Sequence, residues 1–251
     1  MADPIIVIPA RMAAERLPGK PLLEIGGVPL IVHVWCRAGE AALGPVLVAT
    51  DAPEVAHVIE AHGGTAILTG TQHQTGSDRA FEAVSRVDAG GRHDVVINLQ
   101  GDMPDIDPQA IRDAANLLED AAVDIATLAA PIAAAEACAN PNVVKVIGTP
   151  AAENRLRALY FTRAAAPWGD GDLLQHVGLY AFRRPALARF AGLPRSPLER
   201  RERLEQLRAL EAGMRIDLAL LDKAPLSIDT PADLAHARAC LETKLPGKTP
   251  S

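Results

Sequence analysis

Cysteine is scarce. Cys36, Cys138 and Cys240 are the only three in 251 residues, far apart and without a C-x-x-C spacing. That argues against a disulfide framework and the usual zinc ligand sets, and it fits a reducing compartment. No apolar run approaches the ~20 residues of a membrane span. No charged n-region with a long apolar stretch precedes the first strand, so a secretory signal is not expected. Positive charge is in deficit: 25 Lys and Arg stand against 31 Asp and Glu, for a net charge of −6. Nonspecific nucleic-acid binding needs a basic footprint, and none is present. Two glycine fingerprints are also missing. The absence of G-x-x-x-x-G-K-[ST] excludes a Walker A loop, and the absence of G-x-G-x-x-G argues against a dinucleotide redox cofactor. The expected setting is the cytoplasm, with no membrane and no nucleic-acid partner.

What is present is an ordinary globular composition, 49% hydrophobic and 22% charged, long enough to bury a substantial core. Strand-like runs at Ile5–Ile8, Val46–Ala49, Ala66–Leu68, Val95–Leu99 and Ile125–Ala129 alternate with amphipathic stretches at Leu30–Ala42, Pro53–His62, Ser77–Val87 and Pro108–Leu118. This is the rhythm of βαβ units on a largely parallel sheet. Asp107-Pro108 and Ser77 supply helix starts, and Gly63-Gly64 a stop. After Pro131 the rhythm changes. Val143–Ile147 and Gly178–Phe182 read as strands separated by a turn-rich segment that contains Tyr160-Phe-Thr-Arg163. Ser196-Pro-Leu-Glu199 is a capping box opening a charged helix predicted to run to Gly213. Ile216–Leu221 reads as a strand, Thr230-Pro-Ala-Asp233 caps a last helix to about Leu241, and 243–251 reads as a frayed tail. A continuous core with a sub-domain inserted near 150–214 is expected.

Chemistry concentrates at strand ends. The run Ile5-Ile-Val-Ile breaks at Pro9 into a loop carrying Arg11, Arg16 and Lys20 around Gly19. Ligands of open α/β sheets bind beyond the carboxyl ends of the strands, and a cationic loop there suits a polyanion such as a nucleoside triphosphate. In Asn98-Leu-Gln-Gly-Asp102 a strand ends with Gln100 at its rim, Gly101 permits close backbone approach, and Asp102 follows. Asp229 stands likewise between a strand and a capped helix. Each aspartate reads as a turn residue or as a ligand for Mg²⁺, which takes one or two carboxylates plus phosphates and water. Gly76-Ser-Asp-Arg79 reads as a helix start or as a nucleobase or ribose contact. His176 and Tyr180 share a strand face, as core or as a binding surface. Arg163 reads as surface charge. Leu204, Leu207 and Leu210 form an apolar stripe that leaves Glu205 and Gln206 as solvated flanks.

Taken in order, these elements resemble the 3-deoxy-manno-octulosonate (Kdo) cytidylyltransferases, or CMP-Kdo synthetases. The matching motifs are Pro9-Ala-Arg11, Arg16-Leu-Pro-Gly-Lys-Pro21, Ala49-Thr-Asp51, Asn98-Leu-Gln-Gly-Asp102, Asn140-Pro-Asn142, Val144-Lys-Val146, Leu159-Tyr-Phe-Thr-Arg163, His176-Val-Gly-Leu-Tyr180, Leu204-Glu-Gln-Leu-Arg208 and Asp229-Thr-Pro231. They span residues 5 to about 240. The resemblance implies a mixed, mostly parallel α/β sheet of the nucleotide-diphospho-sugar-transferase type with a smaller dimerisation sub-domain. It implies one nucleotidyltransferase domain over 1–242, with a CTP-binding core at about 1–130 and 215–242 and a sugar-binding and dimerisation part at about 131–214.

The resemblance also implies roles. Pro9, Ala10, Arg11, Lys20, Ser77, Arg79 and Asp102 would bind the nucleotide, with Arg11 and Lys20 on the CTP phosphates. Asp102 and Asp229 would bind Mg²⁺, and Arg11, Lys20, Asp102 and Asp229 would form the catalytic set. Gln100, Arg163, His176, Tyr180, Glu205 and Gln206 would form the sugar-acid pocket, with Arg163 suited to the carboxylate. The implied reaction is attack of the Kdo anomeric hydroxyl on the α-phosphorus of CTP, in a homodimer serving lipopolysaccharide biosynthesis. No strong general base stands out, so metal assistance to deprotonation is expected. Three departures accompany the match: Met103 replaces a usual Glu, Ala14 and Glu15 replace small hydroxyl residues, and Trp168 to His176 is short. They leave open another acceptor, an amino-Kdo or a nonulosonic acid, and a catalytically weakened nucleotide-binding paralogue.

Overall fold

The structure, a computed structural model, describes residues 3–13, 16–132 and 135–242; Ala14, Glu15 and the expected tail lie outside the described residues. In chain order the elements are β1 (Pro4–Ala10), β2 (Glu24–Ile25), β3 (Val28–Pro29), α1 (Leu30–Glu40), β4 (Val46–Thr50), α2 (Pro53–Ala61), β5 (Thr65–Leu68), α3 (Gly76–Val87), β6 (Val95–Leu99) and α4 (Pro108–Asn116). There follow β7 (Ile125–Pro131), α5 (Ala135–Ala139), β8 (Lys145–Ala152), β9 (Arg155–Thr162), β10 (Leu174–Arg183), α6 (Arg184–Gly192), α7 (Pro197–Glu202), α8 (Gln206–Glu211), β11 (Ile216–Leu220) and α9 (Pro231–Glu242). The architecture is mixed α/β. The residues group into two compact units: Ile5–Ala89, Leu99–Pro108 and the chain from Pro225 form one, and the start of the chain to Pro4, Gly90–Asn98 and Gln109–Ala224 the other.

In the first unit β5, β4 and β1 lie side by side, all parallel. Ile6, Val7 and Ile8 are fully buried, the continuous apolar run expected of a parallel strand covered on both faces. Helix α1 buries Leu30, Ile31, Val32 and Val34, each contributing ~1.5–3 kcal/mol of apolar burial. Pro9 does not break β1. It stays in register opposite Ala49, one residue before the strand ends, a peripheral place where the ring's missing N–H is tolerated. A small hairpin, β2–β3, fills the stretch before α1. Its signal is Gly26-Gly27, both at positive φ (61° and 80°), as a two-residue hairpin loop requires.

In the second unit the strand order is β6-β10-β7-β11-β9-β8. Here β11 runs parallel to β7, whereas β10 with β7 and β9 with β8 and β11 are antiparallel. Three expectations are corrected. Ser77 does not cap its helix. Thr75 does, accepting from the Asp78 N–H at 3.2 Å, because the helix begins at Gly76 and places Ser77 inside the first turn. The segment that contains Tyr160–Arg163 is turn-rich only in part, since Arg155–Thr162 is strand β9, joined to β8 by a turn at Glu153-Asn154, and the bends fall at 163–164, 167 and 169–171. The helix opened by Ser196 does not run unbroken to Gly213. The capping box is present, but Arg203 in the left-handed conformation (φ 57°, ψ 46°) ends α7, and α8 starts afresh at Gln206.

Candidate functional site

In the first unit the loop after β1 turns through Gly19, whose φ of 70° favours glycine. That turn delivers Lys20 to two carboxylates. Its Nζ donates to Asp102 Oδ2 at 2.9 Å and to Asp229 Oδ1 at 3.0 Å, while Arg16 Nη2 lies 3.1 Å from Asp229 Oδ2. Burial works against the Lys20 ammonium, but Asp102 and Asp229 outweigh it and hold its pKa above the ordinary value. Arg11 is exposed at the end of β1 and meets no partner among the described residues. Asp229 is set by the helix behind it: Asp233 accepts from the Asp229 and Thr230 N–H groups at 3.1 and 2.8 Å, and Thr230 Oγ1 accepts from the Asp233 N–H. The Ile228 N–H donates to the Asp102 carbonyl at 3.0 Å, tying the two aspartate loops together. Gly101 allows a close approach, since a Cβ there would meet the Pro9 carbonyl at 3.2 Å and Ile31 at 3.1 Å, both tight contacts.

Beside this cluster, a Cβ on Gly76 would stand 3.0 Å from the Gln100 amide and 3.1 Å from Pro9, so the end of β1, Gln100 and the start of α3 are closely apposed. Ala10 and Ser77 are buried there. Arg79 is not a surface cation. It is 3% exposed, with Nη2 donating to Asp51 Oδ2 at 2.7 Å and Nη1 to Thr69 Oγ1 at 2.6 Å.

The other candidate residues lie in the second unit. Arg163 donates from Nε to the Glu202 carbonyl at 2.8 Å, from Nη1 to the Pro141 carbonyl at 2.8 Å and from Nη2 to the Arg203 carbonyl at 3.4 Å. Two of these carbonyls are left without helical partners where α7 ends, a place that favours a cation. Arg163 is therefore a packed staple and not the loose surface charge its sequence context suggests. Fully buried Lys145 donates to the carbonyls of Asn140, Val143 and Arg163 and fixes the same loop.

His176 and Tyr180 do share a face, with ring centroids 5.3 Å apart, and the Phe161 ring stands nearly perpendicular to the imidazole at a centroid distance of 5.1 Å. Burial lowers the His176 pKa from 6.5 to about 3. Burial and the nearby Glu205 raise that of Tyr180 well above its ordinary value. Glu205 and Gln206 are not solvated flanks. Gln206 is 3% exposed, and its Nε2, like Glu205 Oε2, is buried without a hydrogen-bond partner. A native structure rarely leaves such atoms orphaned unless something else completes them.

The cytidylyltransferase family model matches residues 5–216. The chain belongs to the cytidylyltransferase family. A 3-deoxy-manno-octulosonate cytidylyltransferase of Methylorubrum extorquens (strain PA1) is 61% identical over 241 residues, covering 96% of this chain and 98% of that relative. A protein of the same name from Rhodopseudomonas palustris (strain BisB18) is 61% identical over 237 residues, covering 94% and 97%. A solved CMP:2-keto-3-deoxy-manno-octonic acid synthetase complexed with CTP superposes with a TM-score of 0.87 at 41% identity, covering 97% of this chain and 100% of that one.

Within this cytidylyltransferase, several residues outside the site set that the sequence assigned are part of the geometry. Arg16 pairs with Asp229, Asp51 and Thr69 hold Arg79, and Thr127 holds His176 at 2.9 Å. Met103 is 3% exposed and packs as a core residue. Trp168 is fully exposed. Among the described residues no helix is long and apolar enough to cross a membrane. No group of three or more His, Cys, Asp or Glu forms a metal cage among them either.

Proposed function

We propose that this chain transfers CMP from CTP to the anomeric hydroxyl of Kdo, giving CMP-Kdo and pyrophosphate for lipopolysaccharide biosynthesis. The observation that carries the reading is the Lys20 ammonium drawn between Asp102 and Asp229 on a loop that also bears Arg11 and Arg16, in a chain of this family. Arg11 and Lys20 neutralise the triphosphate, and Pro9, Ala10, Ser77, Arg79 and Asp102 shape the nucleotide side. Asp51 and Thr69 keep the Arg79 guanidinium rigid. In the second unit Arg163, His176, Tyr180, Glu205 and Gln206 receive the sugar acid, whose hydroxyls give the orphaned amide of Gln206 an acceptor.

Asp102 and Asp229 offer hard carboxylate oxygens to a single cation, Lys20 Nζ. This donor set fits Mg²⁺, which binds through one or two carboxylates with phosphates and water completing its shell. When bound, Mg²⁺ supplies charge neutralisation on the phosphates and acidity to coordinated oxygen. The sugar oxygen forms its bond to the α-phosphorus as the bond to the β-phosphate oxygen breaks. Pyrophosphate departs with that electron pair, and the hydroxyl proton is lost to solvent. The protein's part is orientation and electrostatic stabilisation. Burial of Met103 supports a packing role at that position, which a methionine can fill in place of Glu.

We read the chain as one cytoplasmic nucleotidyltransferase domain over 1–242 acting as a homodimer. The test is pyrophosphate release from CTP and Mg²⁺ with Kdo, set against N-acetylneuraminate and no acceptor. Kdo-dependent release is expected. Release with another sugar acid alone would move the acceptor, and CTP binding without release under any condition would overturn the enzyme reading.

A further inference from the structure

Thr127 sits within β7 with no exposed surface. The antiparallel register of β10 against β7 slips between Val177 and Ala181, and the slip turns backbone carbonyls toward the Thr127 hydroxyl. Leu179 O lies 2.6 Å from Oγ1 and Val177 O 3.3 Å. On its other side Oγ1 meets His176 Nε2 at 2.9 Å.

A hydroxyl has one proton, and a carbonyl can only accept. The Thr127 proton therefore goes to Leu179 O, and a lone pair faces Nε2, which must carry N–H. A neutral imidazole has one N–H, so Nδ1 is left as an acceptor, and it meets no partner among the described residues. Phe161 and Tyr180 both pack against the ring, and His176 keeps part of its surface exposed.

Resting on the reading that His176 contacts the sugar acid, we propose that Thr127 is a positioning residue. It fixes His176 as the Nε2–H tautomer, so that Nδ1 stands ready to accept from a hydroxyl of the acceptor sugar. The low pKa of the desolvated ring keeps it neutral across the physiological range. With the tautomer reversed, the same position would offer a donor and suit a carbonyl or carboxylate. Thr127 thus sets the polarity of one recognition point without touching the substrate.

The test uses the whole protein labelled with ¹⁵N-histidine, with His176 assigned by loss of its signals in His176→Gln. Multiple-bond ¹H–¹⁵N spectra report the tautomer. The wild type is expected as Nε2–H, Thr127→Val as Nδ1–H or a mixture, and Thr127→Ser as Nε2–H again. In parallel Thr127→Val should raise KM for Kdo about tenfold, equivalent to ~1.4 kcal/mol, with KM for CTP unchanged, and Thr127→Ser should restore it. A wild type with Nδ1–H, or a Val variant that keeps Nε2–H, overturns the positioning role. A tautomer that reverses while Kdo neither shifts the His176 signals nor changes in KM overturns the reading of His176 as a sugar contact, and the recognition half of the proposal with it.

Discussion

The Lys20 ammonium donates to Asp102 Oδ2 at 2.9 Å, and its second carboxylate, Asp229, follows at 3.0 Å. Three chain segments distant in sequence converge on one positive charge that belongs to the protein itself. The same carboxylates are the proposed Mg²⁺ ligands, so lysine and metal compete for them until the triphosphate gives the lysine another anion to neutralise. In Lys20→Met, Mn²⁺ should bind without CTP about tenfold more tightly than to the wild type, read by electron paramagnetic resonance. Turnover should fall ~10²–10³-fold, the scale for removing a positioned electrostatic stabiliser. Unchanged Mn²⁺ affinity would show that the lysine does not guard the carboxylates.

Asp102→Asn keeps the shape of the side chain and removes its charge. The backbone contact from Ile228 to the Asp102 carbonyl is indifferent to the change, so the fold should persist with a melting temperature within a few degrees of the wild type. Pyrophosphate release should drop below ~1% of the wild-type rate, by the same electrostatic argument. Full activity in a folded Asp102→Asn protein would remove this aspartate from the catalytic set.

Arg79 is held by Asp51 and Thr69 at 2.7 and 2.6 Å and is almost wholly buried. Asp51→Ala strands a guanidinium, and breaking a buried pair costs ~3–5 kcal/mol. Urea unfolding should show that loss, with KM for CTP rising in the protein that remains folded. A change below ~1 kcal/mol would mean that Arg79 finds other partners and is less rigidly held than its contacts indicate.

The sheet was legible where hydrophobic period and strand length agree. Val95–Leu99 has the bounds its sequence suggests, as does the start of α1 at Leu30. Strand β9 was hidden because its outward positions include Leu159, 55% exposed, which blurs the alternation of a half-buried strand. The break at Arg203 carries no signal, because an arginine in left-handed backbone has none of glycine's predictive weight. Strand-end residues such as Lys20 and Asp102 stood out by type and position. Thr127, in contrast, reads as one more buried β-residue. Only the register slip opposite it, a tertiary fact, gives its hydroxyl a task.

Glu199 and Arg208 clamp α7 to α8 across that break. Arg208 Nε and Nη2 donate to the two Glu199 oxygens at 2.9 and 2.7 Å, and the guanidinium lies 4.7 Å from the Phe190 ring centroid. Burial works to raise the Glu199 pKa, but Arg208 outweighs it and holds the carboxyl below its ordinary range. Arg208→Met leaves Glu199 with Arg195 and the Ser196 N–H and should cost up to ~3 kcal/mol, whereas Glu199→Met with Arg208→Met should cost less than the sum of the singles, because neither charge is then left short of its partner. A double variant as unstable as the sum of the singles would deny the coupling.

His176 makes a pH prediction whose sign follows from its depressed pKa, about 3 against an ordinary 6.5. Below 6.5 the unfolded chain takes up a proton that the folded site refuses, so acid favours unfolding. The stability from the neutral ring is fully present above pH 6.5 and is lost progressively as pH falls toward 3, with a slope of up to ~1.4 kcal/mol per pH unit. Glu199 acts in the same direction, but only near and below its ordinary 4.5. Between pH 6.5 and 5 the two separate. Urea unfolding across that interval should lose about one proton's worth of slope in His176→Gln relative to wild type, after subtraction of the contribution shared by both. Parallel stability curves for the two proteins would mean that the imidazole titrates normally and is not held neutral in the fold.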